Sequence, residues 1–165
     1  MTDQALWAPW RLDYVKTTNQ DDGCFLCQYR DADPACDSDH LVIHRGQHTI
    51  SLLNRFPYNN GHLLIAPRDH AADLDEMSGE ALAECVGELQ AWTRRLKETI
   101  SPDGFNIGLN LGRAAGAGLP GHLHWHIVPR WNGDTNFMPV LGNANLIPQS
   151  LESLYELLVH DSPAG

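Results

Sequence analysis

His122-Leu123-His124-Trp125-His126-Ile127-Val128 alternates imidazoles with apolar side chains. In an extended strand successive side chains point to opposite faces. His122, His124 and His126 therefore share one face, and Leu123, Trp125 and Ile127 the other. The apolar face predicts core and the histidine face predicts a site. A His-x-His pair on a strand can share one zinc ion. Three are harder to combine, because the outer two start about 13 Å apart at about 3.3 Å per residue, while zinc–nitrogen bonds are about 2.0–2.1 Å. At least one of the three then has a task other than ligation. The plainer alternative is a solvated or mutually hydrogen-bonded histidine face.

Immediately upstream, Gly116-Ala117-Gly118-Leu119-Pro120-Gly121 matches the dinucleotide-binding pattern G-x-G-x-x-G. That pattern requires a helix to follow, so that a pyrophosphate meets its N-terminus. A histidine strand follows instead, which excludes a Rossmann arrangement. A loop poor in side chains still lets backbone N–H groups approach an anion closely, and a simple hairpin connection explains the glycines equally well.

Further out, 41–44, 48–54 and 61–66 read as short strands, with Pro57-Tyr58-Asn59-Asn60-Gly61 as a turn. Ser78 is placed to cap a helix along which Leu82, Cys85, Val86, Leu89, Trp92, Leu96 and Ile100 recur at helical spacing until Pro102. Residues 105–111 complete the strands. Strands gathered around one long amphipathic helix, without repeated βαβ units, predict an α+β fold with an antiparallel sheet. The expected organisation is one domain over 1–165: an irregular arm over 1–40 carrying Trp7, Trp10, Tyr14 and Phe25, a core over 41–130, and a tail over 131–165.

The formal net charge of −10 opposes a phosphate backbone, so nucleic acid is not an expected partner, although a local pocket can still hold a small phosphorylated ligand. The N-terminus lacks the basic start and apolar run of a signal peptide, and no 18-residue apolar stretch follows. No membrane association and a cytoplasmic setting are expected. The four cysteines are then thiols, and Cys24-Phe25-Leu26-Cys27 suggests half of a zinc site, a redox pair being the rival. Cys85 lies on the apolar helix face and reads as core.

The histidine strand, continued by Pro129-Arg130, resembles the signature His-φ-His-φ-His-φ-φ (φ apolar) of the histidine triad (HIT) family. The likeness extends back through Asn54-Arg55-Phe56-Pro57-Tyr58-Asn59-Asn60-Gly61-His62 and covers roughly 40–130. Ala8-Pro9-Trp10-Arg11, Gly104-Phe105-Asn106-Ile107-Gly108 and Trp131-Asn132-Gly133-Asp134-Thr135-Asn136-Phe137 resemble the bacterial branch assigned to diadenosine polyphosphate hydrolases or phosphorylases. The resemblance implies His124 as nucleophile, surrounded by His122, His126 and His62. It implies ribose contact at Asn54, ligand contact at Asn110, and phosphate contact at Ala117, Gly118, Leu119 and His126. Some branches carry Ser, Thr or Gln in that loop, so phosphate contact at Ala117, Gly118 and Leu119 would come from the backbone. Zinc-bearing members further imply structural Zn2+ at Cys24, Cys27, His70 and His122, with no organic cofactor. A nucleotide substrate and a homodimer, in which the aromatic arm and the tail 137–158 cover the partner, complete the expectations.

Overall fold

Ser78 opens the longest element, since its hydroxyl accepts the Ala81 N–H at 3.1 Å and so satisfies a first-turn donor. The computed structural model describes residues 23–134 and 147–160. The expectations for Trp7, Trp10, Tyr14, Ala8–Arg11 and Thr135–Phe137 lie outside those residues.

The described helices are α1 (Phe25–Asp31), α2 (Asp37–His40), α3 (Gly79–Ile100) and α4 (Leu151–His160), with strands β1 (Val42–Arg45), β2 (Thr49–Leu53), β3 (Leu63–Pro67), β4 (Gly104–Leu109) and β5 (Trp125–Arg130). The strands form one antiparallel sheet in the order β1-β2-β3-β5-β4. Its alternation splits the core in two. Leu53, Leu63, Ile65, Trp125 and Ile127 pack with Cys85, Trp92 and Leu96 of α3 and with Leu154 and Leu158 of α4. On the other face Val42, Ile50, Leu52, Leu64 and Ala66 pack with Leu26 of α1. His126 pairs with Leu64 across β5 and β3, which puts it on this second face.

Helix α3 bears out the predicted long amphipathic helix, and Cys85 is fully buried, its thiol pushed up to about 12 by burial and then by Glu84 and Glu88. Leu82 and Val86 depart from the expected stripe and are exposed, because the buried line runs through Ala81, Cys85, Trp92 and Leu96. The arm is also more regular than read: α1, a turn over Pro34–Cys36 and α2 occupy it. Arg45 fixes α1 from the sheet by donating to the last carbonyls of that helix, Tyr29 O at 2.8 Å and Arg30 O at 2.9 Å, while pairing with Asp37 at 2.6 Å. Arg30 in turn donates to Arg68 O beyond β3. The described part of the tail also has a role within its own chain. Leu154 and Leu158 sit in this chain's own core, so α4 covers its own sheet.

The strand of histidines begins at Trp125 rather than His122. After Ile65↔Trp125 the ladder would next join Pro67 to Leu123, and Pro67 has no N–H to offer. The Leu123 N–H turns instead to Ala71 O at 2.7 Å. The alternation survives this change, for Leu123, Trp125 and Ile127 all reach the core.

Candidate functional site

The turn before β3 is built to hold one histidine. Asn59 donates to Pro129 O at 3.1 Å and to Asp134 at 2.9 Å, and Gly61 takes a φ of +74°, where a Cβ would stand 2.7 Å from Ile100 Cδ1. Only glycine meets both demands cheaply. The next residue, His62, is completely buried. Its Nδ1 lies 3.1 Å from the Tyr58 N–H and 3.2 Å from Asn54 Nδ2. Asn54 Oδ1 accepts the Phe56 N–H, which fixes its amide so that Nδ2 faces the ring. With two donors facing it, Nδ1 accepts, and the neutral ring carries its proton on Nε2.

That proton has one recipient. His62 Nε2 is 2.9 Å from His126 Nδ1, so His62 donates and His126 keeps its own proton on Nε2. Burial, then His126, then His124 draws the His62 imidazole down to about 3. Burial, followed by His124, draws His126 to about 4. Both are neutral at pH 7. The ring of His124 packs edge-on to His126 at 4.9 Å, and its Nδ1–H donates to the His122 carbonyl at 2.9 Å. Its Nε2 therefore holds the lone pair. Burial lowers its affinity for a proton against that hydrogen bond.

These shifts have a sign that can be measured. Because the folded values lie below the unfolded value of about 6.5, the unfolded chain binds protons that the folded histidines refuse. The stability they contribute is complete above pH 6.5 and drains away as pH falls toward 4 for His126 and 3 for His62. Between pH 7 and 5 each should cost about 1–2 kcal/mol. Urea midpoints across that range should fall more gently in His62→Asn than in the parent; parallel curves would refute the assignment.

His122 belongs to a second cluster. Cys24, Cys27, His70 and His122 offer ligand atoms that all lie within 4.8 Å of one another. Cys24 Sγ is 3.1 Å and Cys27 Sγ 3.5 Å from His122 Nδ1, and Cys27 Sγ is 3.2 Å from His70 Nδ1. Four ligands around zinc stand about 3.3–3.8 Å apart by tetrahedral geometry, so the spacing suits one ion. His122 Nε2 donates to Pro67 O at 2.9 Å, which leaves its Nδ1 lone pair aimed at the thiols. Burial and neighbouring Cys24 hold the Cys27 thiol above its ordinary value, so ionising it calls for a cation. All four residues that the resemblance implied as ligands come together here.

Of the remaining expected residues, Asn54 touches His62 and Leu119 bonds the backbone of His122. Asn110 follows Leu109, which pairs with Trp125, and the register continued one step sets Asn110 across from His124. In the loop, the Ala117 N–H lies 3.4 Å from Gly112 O and the Leu119 carbonyl accepts the His122 N–H. Leu119 also packs against the second core. Asn54, expected at a ribose, uses one Oδ1 lone pair and one Nδ2 hydrogen inside the turn and keeps one of each for another partner. Sequence reasoning passed over Tyr58, whose ring stacks on His62 at 4.8 Å; an aromatic amid turn-forming residues was the available signal. It also passed over the His122 and Pro67 carbonyls, which no side-chain pattern reveals.

Comparison with known proteins agrees with this geometry. The chain is 37% identical over 160 residues to an AP-4-A phosphorylase of Mycobacterium tuberculosis, covering 94% of this chain and 82% of that protein. It is 25% identical over 133 residues to an adenosine 5′-monophosphoramidase of Schizosaccharomyces pombe, covering 81% of this chain and 93% of that one. Among solved structures, a zinc-bound histidine triad family protein from Mycobacterium smegmatis superposes with a TM-score of 0.65 at 28% identity, over 84% of this chain and 91% of that chain. The HIT domain model matches residues 36–133, so the sheet, the histidine cluster and the sequence likeness agree that this chain belongs to the histidine triad family.

Proposed function

We propose that this protein cleaves dinucleoside polyphosphates at an α-phosphate through a nucleotidyl-His124 intermediate, as a hydrolase or phosphorylase of the HIT type. The observation that carries the reading is the tautomer of His124: its Nδ1–H is held by the His122 carbonyl, so Nε2 is the nucleophilic nitrogen. Nε2 forms the N–P bond while the P–O bond to the departing polyphosphate breaks, and the charge gained by the imidazole rests against the His122 carbonyl. His126, neutral and carrying Nε2–H, donates to the phosphate oxygens as charge spreads over them. The leaving polyphosphate is a stable anion and departs without a full proton. In the second step water or inorganic phosphate takes the nucleotide from His124. Asn54 and Asn110 serve the nucleoside, and the backbone of Ala117, Gly118 and Leu119 serves phosphate.

The 37% identical relative named a phosphorylase favours phosphate as the second acceptor. Product analysis of diadenosine tetraphosphate tests the reading: ADP plus ATP, dependent on added phosphate, marks phosphorolysis, and AMP plus ATP marks hydrolysis. Absence of either reaction would overturn it.

We assign structural zinc to Cys24, Cys27, His70 and His122. Four protein ligands close the coordination sphere, which opposes hydrolysis by a zinc-bound water. The zinc-bound neighbour supports the ion's identity. The whole chain is read as one HIT domain acting as a homodimer: β4 is an edge strand with Ile107 exposed, a surface suited to pairing with a second sheet. Light scattering should return twice the chain mass. No described helix is long and apolar enough to cross a membrane, and the free cysteines suit a reducing compartment such as the cytoplasm.

A further inference from the structure

His122 serves two sites at once. Its buried ring turns Nδ1 toward Cys24 at 3.1 Å and Cys27 at 3.5 Å, with Nε2–H held by Pro67 O, while its carbonyl accepts the Nδ1–H of His124 at 2.9 Å. Whatever alters the two thiols therefore bears on the residue that orients the nucleophile. The thiols themselves are open to such change. Cys24 stands at the N-cap of α1 and Cys27 lies in its first turn, so both are on one side of the helix and their side chains are in hydrogen-bond contact. Both are partly exposed, whereas Cys85 is sealed in the core. Bound to a zinc ion they are thiolates, the reactive form. A sulfur oxidised here has a second sulfur beside it, the arrangement that ends in a disulfide rather than in higher acids.

We propose that Cys24 and Cys27 form a peroxide-sensitive modification site, whose oxidation to a disulfide expels the metal and slows the enzyme through His122. This rests on the zinc site and the activity proposed above and adds their regulation. One thiolate attacks the peroxide, breaking its O–O bond to give a sulfenic acid and hydroxide. The other thiolate attacks that sulfur, forms the S–S bond and displaces a second hydroxide, and two protons from solvent complete two waters. The pair gives up two electrons and the peroxide takes them. The disulfide is neutral, so of the four ligands only His70 and His122 remain to hold the cation, and the site lets it go. The His122 ring then loses its tie to α1, and the carbonyl that anchors His124 loses its fixed support.

The test treats protein produced with zinc with hydrogen peroxide and follows metal, sulfur and activity together. Zinc should pass to a chromogenic chelator, and mass spectrometry should find a disulfide within the peptide that carries Cys24 and Cys27. In step with these, kcat on diadenosine tetraphosphate should fall by about tenfold, the scale for a group that orients a reacting residue from behind. Reduction with dithiothreitol in the presence of zinc should restore both metal and rate. Cys36→Ser, outside the cluster, should respond as the parent does. Retention of zinc, release of zinc with kcat unchanged, sulfinic or sulfonic acid in place of the disulfide, or a bridge to Cys36 would each overturn the proposal. Zinc absent before peroxide is added would overturn the metal assignment itself, and no turnover beforehand would overturn the activity itself; either takes the proposal with it.

Discussion

Replacing His124 with alanine should reduce kcat on diadenosine tetraphosphate by on the order of 10⁴-fold or more, the scale seen when a covalent nucleophile is removed. Binding should change far less. The groups proposed to hold nucleotide belong to other segments: Asn54 to the turn before β3, Asn110 to the end of β4, and 117–119 to the loop. The contacts defined for the His124 ring, the His122 carbonyl and the edge of His126, involve none of these three segments. The substitution also leaves the His62–His126 pair in place. His126→Ala should behave differently, leaving the nucleophile but removing a donor to the phosphate, for a loss of about 10²–10³-fold. Trapping decides the mechanism directly. Quenching under conditions that spare phosphoramidates, followed by mass spectrometry, should find one nucleotidyl group on the peptide spanning His122–Arg130, and none in His124→Ala. Turnover by His124→Ala at the parent rate would refute the covalent route.

What could be read from the sequence depended on whether the signal was local. The cap at Ser78 and the stop before Pro102 bounded α3 closely, since both act within one turn of the helix end. The alternation around His124 likewise identified the core-facing residues correctly. The start of that strand was not legible, because it depends on a proline in another strand meeting Leu123 across the sheet. The same holds for the arm, where Asp, Gly and Pro suggested irregular chain. The spacing of Phe25, Leu26 and Tyr29 was too short to declare a helix without knowing that Arg45 would seal its end. In α4, by contrast, the signal was present: Leu151, Leu154, Tyr155 and Leu158 fall at helical spacing and were read only as tail. The tautomers of the histidines, on which the chemistry turns, rest on backbone groups and could not be read at all.

Metal removal should produce the other large effect, and in a different observable. The cluster joins three separated segments, with Cys24 and Cys27 from the arm, His70 from beyond β3 and His122 from the approach to β5. Thiolate sites rarely preform in an unfolded chain, so binding energy there contributes to folding. The domain also has a two-sided apolar core, and should remain folded without the ion while losing several kcal/mol. For a chain of this size that corresponds to a fall in Tm of about 10 °C. Cys24→Ser should reproduce this loss and bind well under one equivalent of zinc, whereas Cys36→Ser, outside the cluster, should keep both the metal and the Tm. Activity should follow indirectly. His122 is the residue whose ring meets the cluster through Nδ1 and whose carbonyl holds His124, so releasing the ring loosens the nucleophile's anchor. Measured well below its Tm, Cys24→Ser should therefore lose far less in kcat than His124→Ala. Elemental analysis finding less than about half an equivalent of zinc in protein produced with the metal would sink the assignment, since a closed site of four ligands holds one ion.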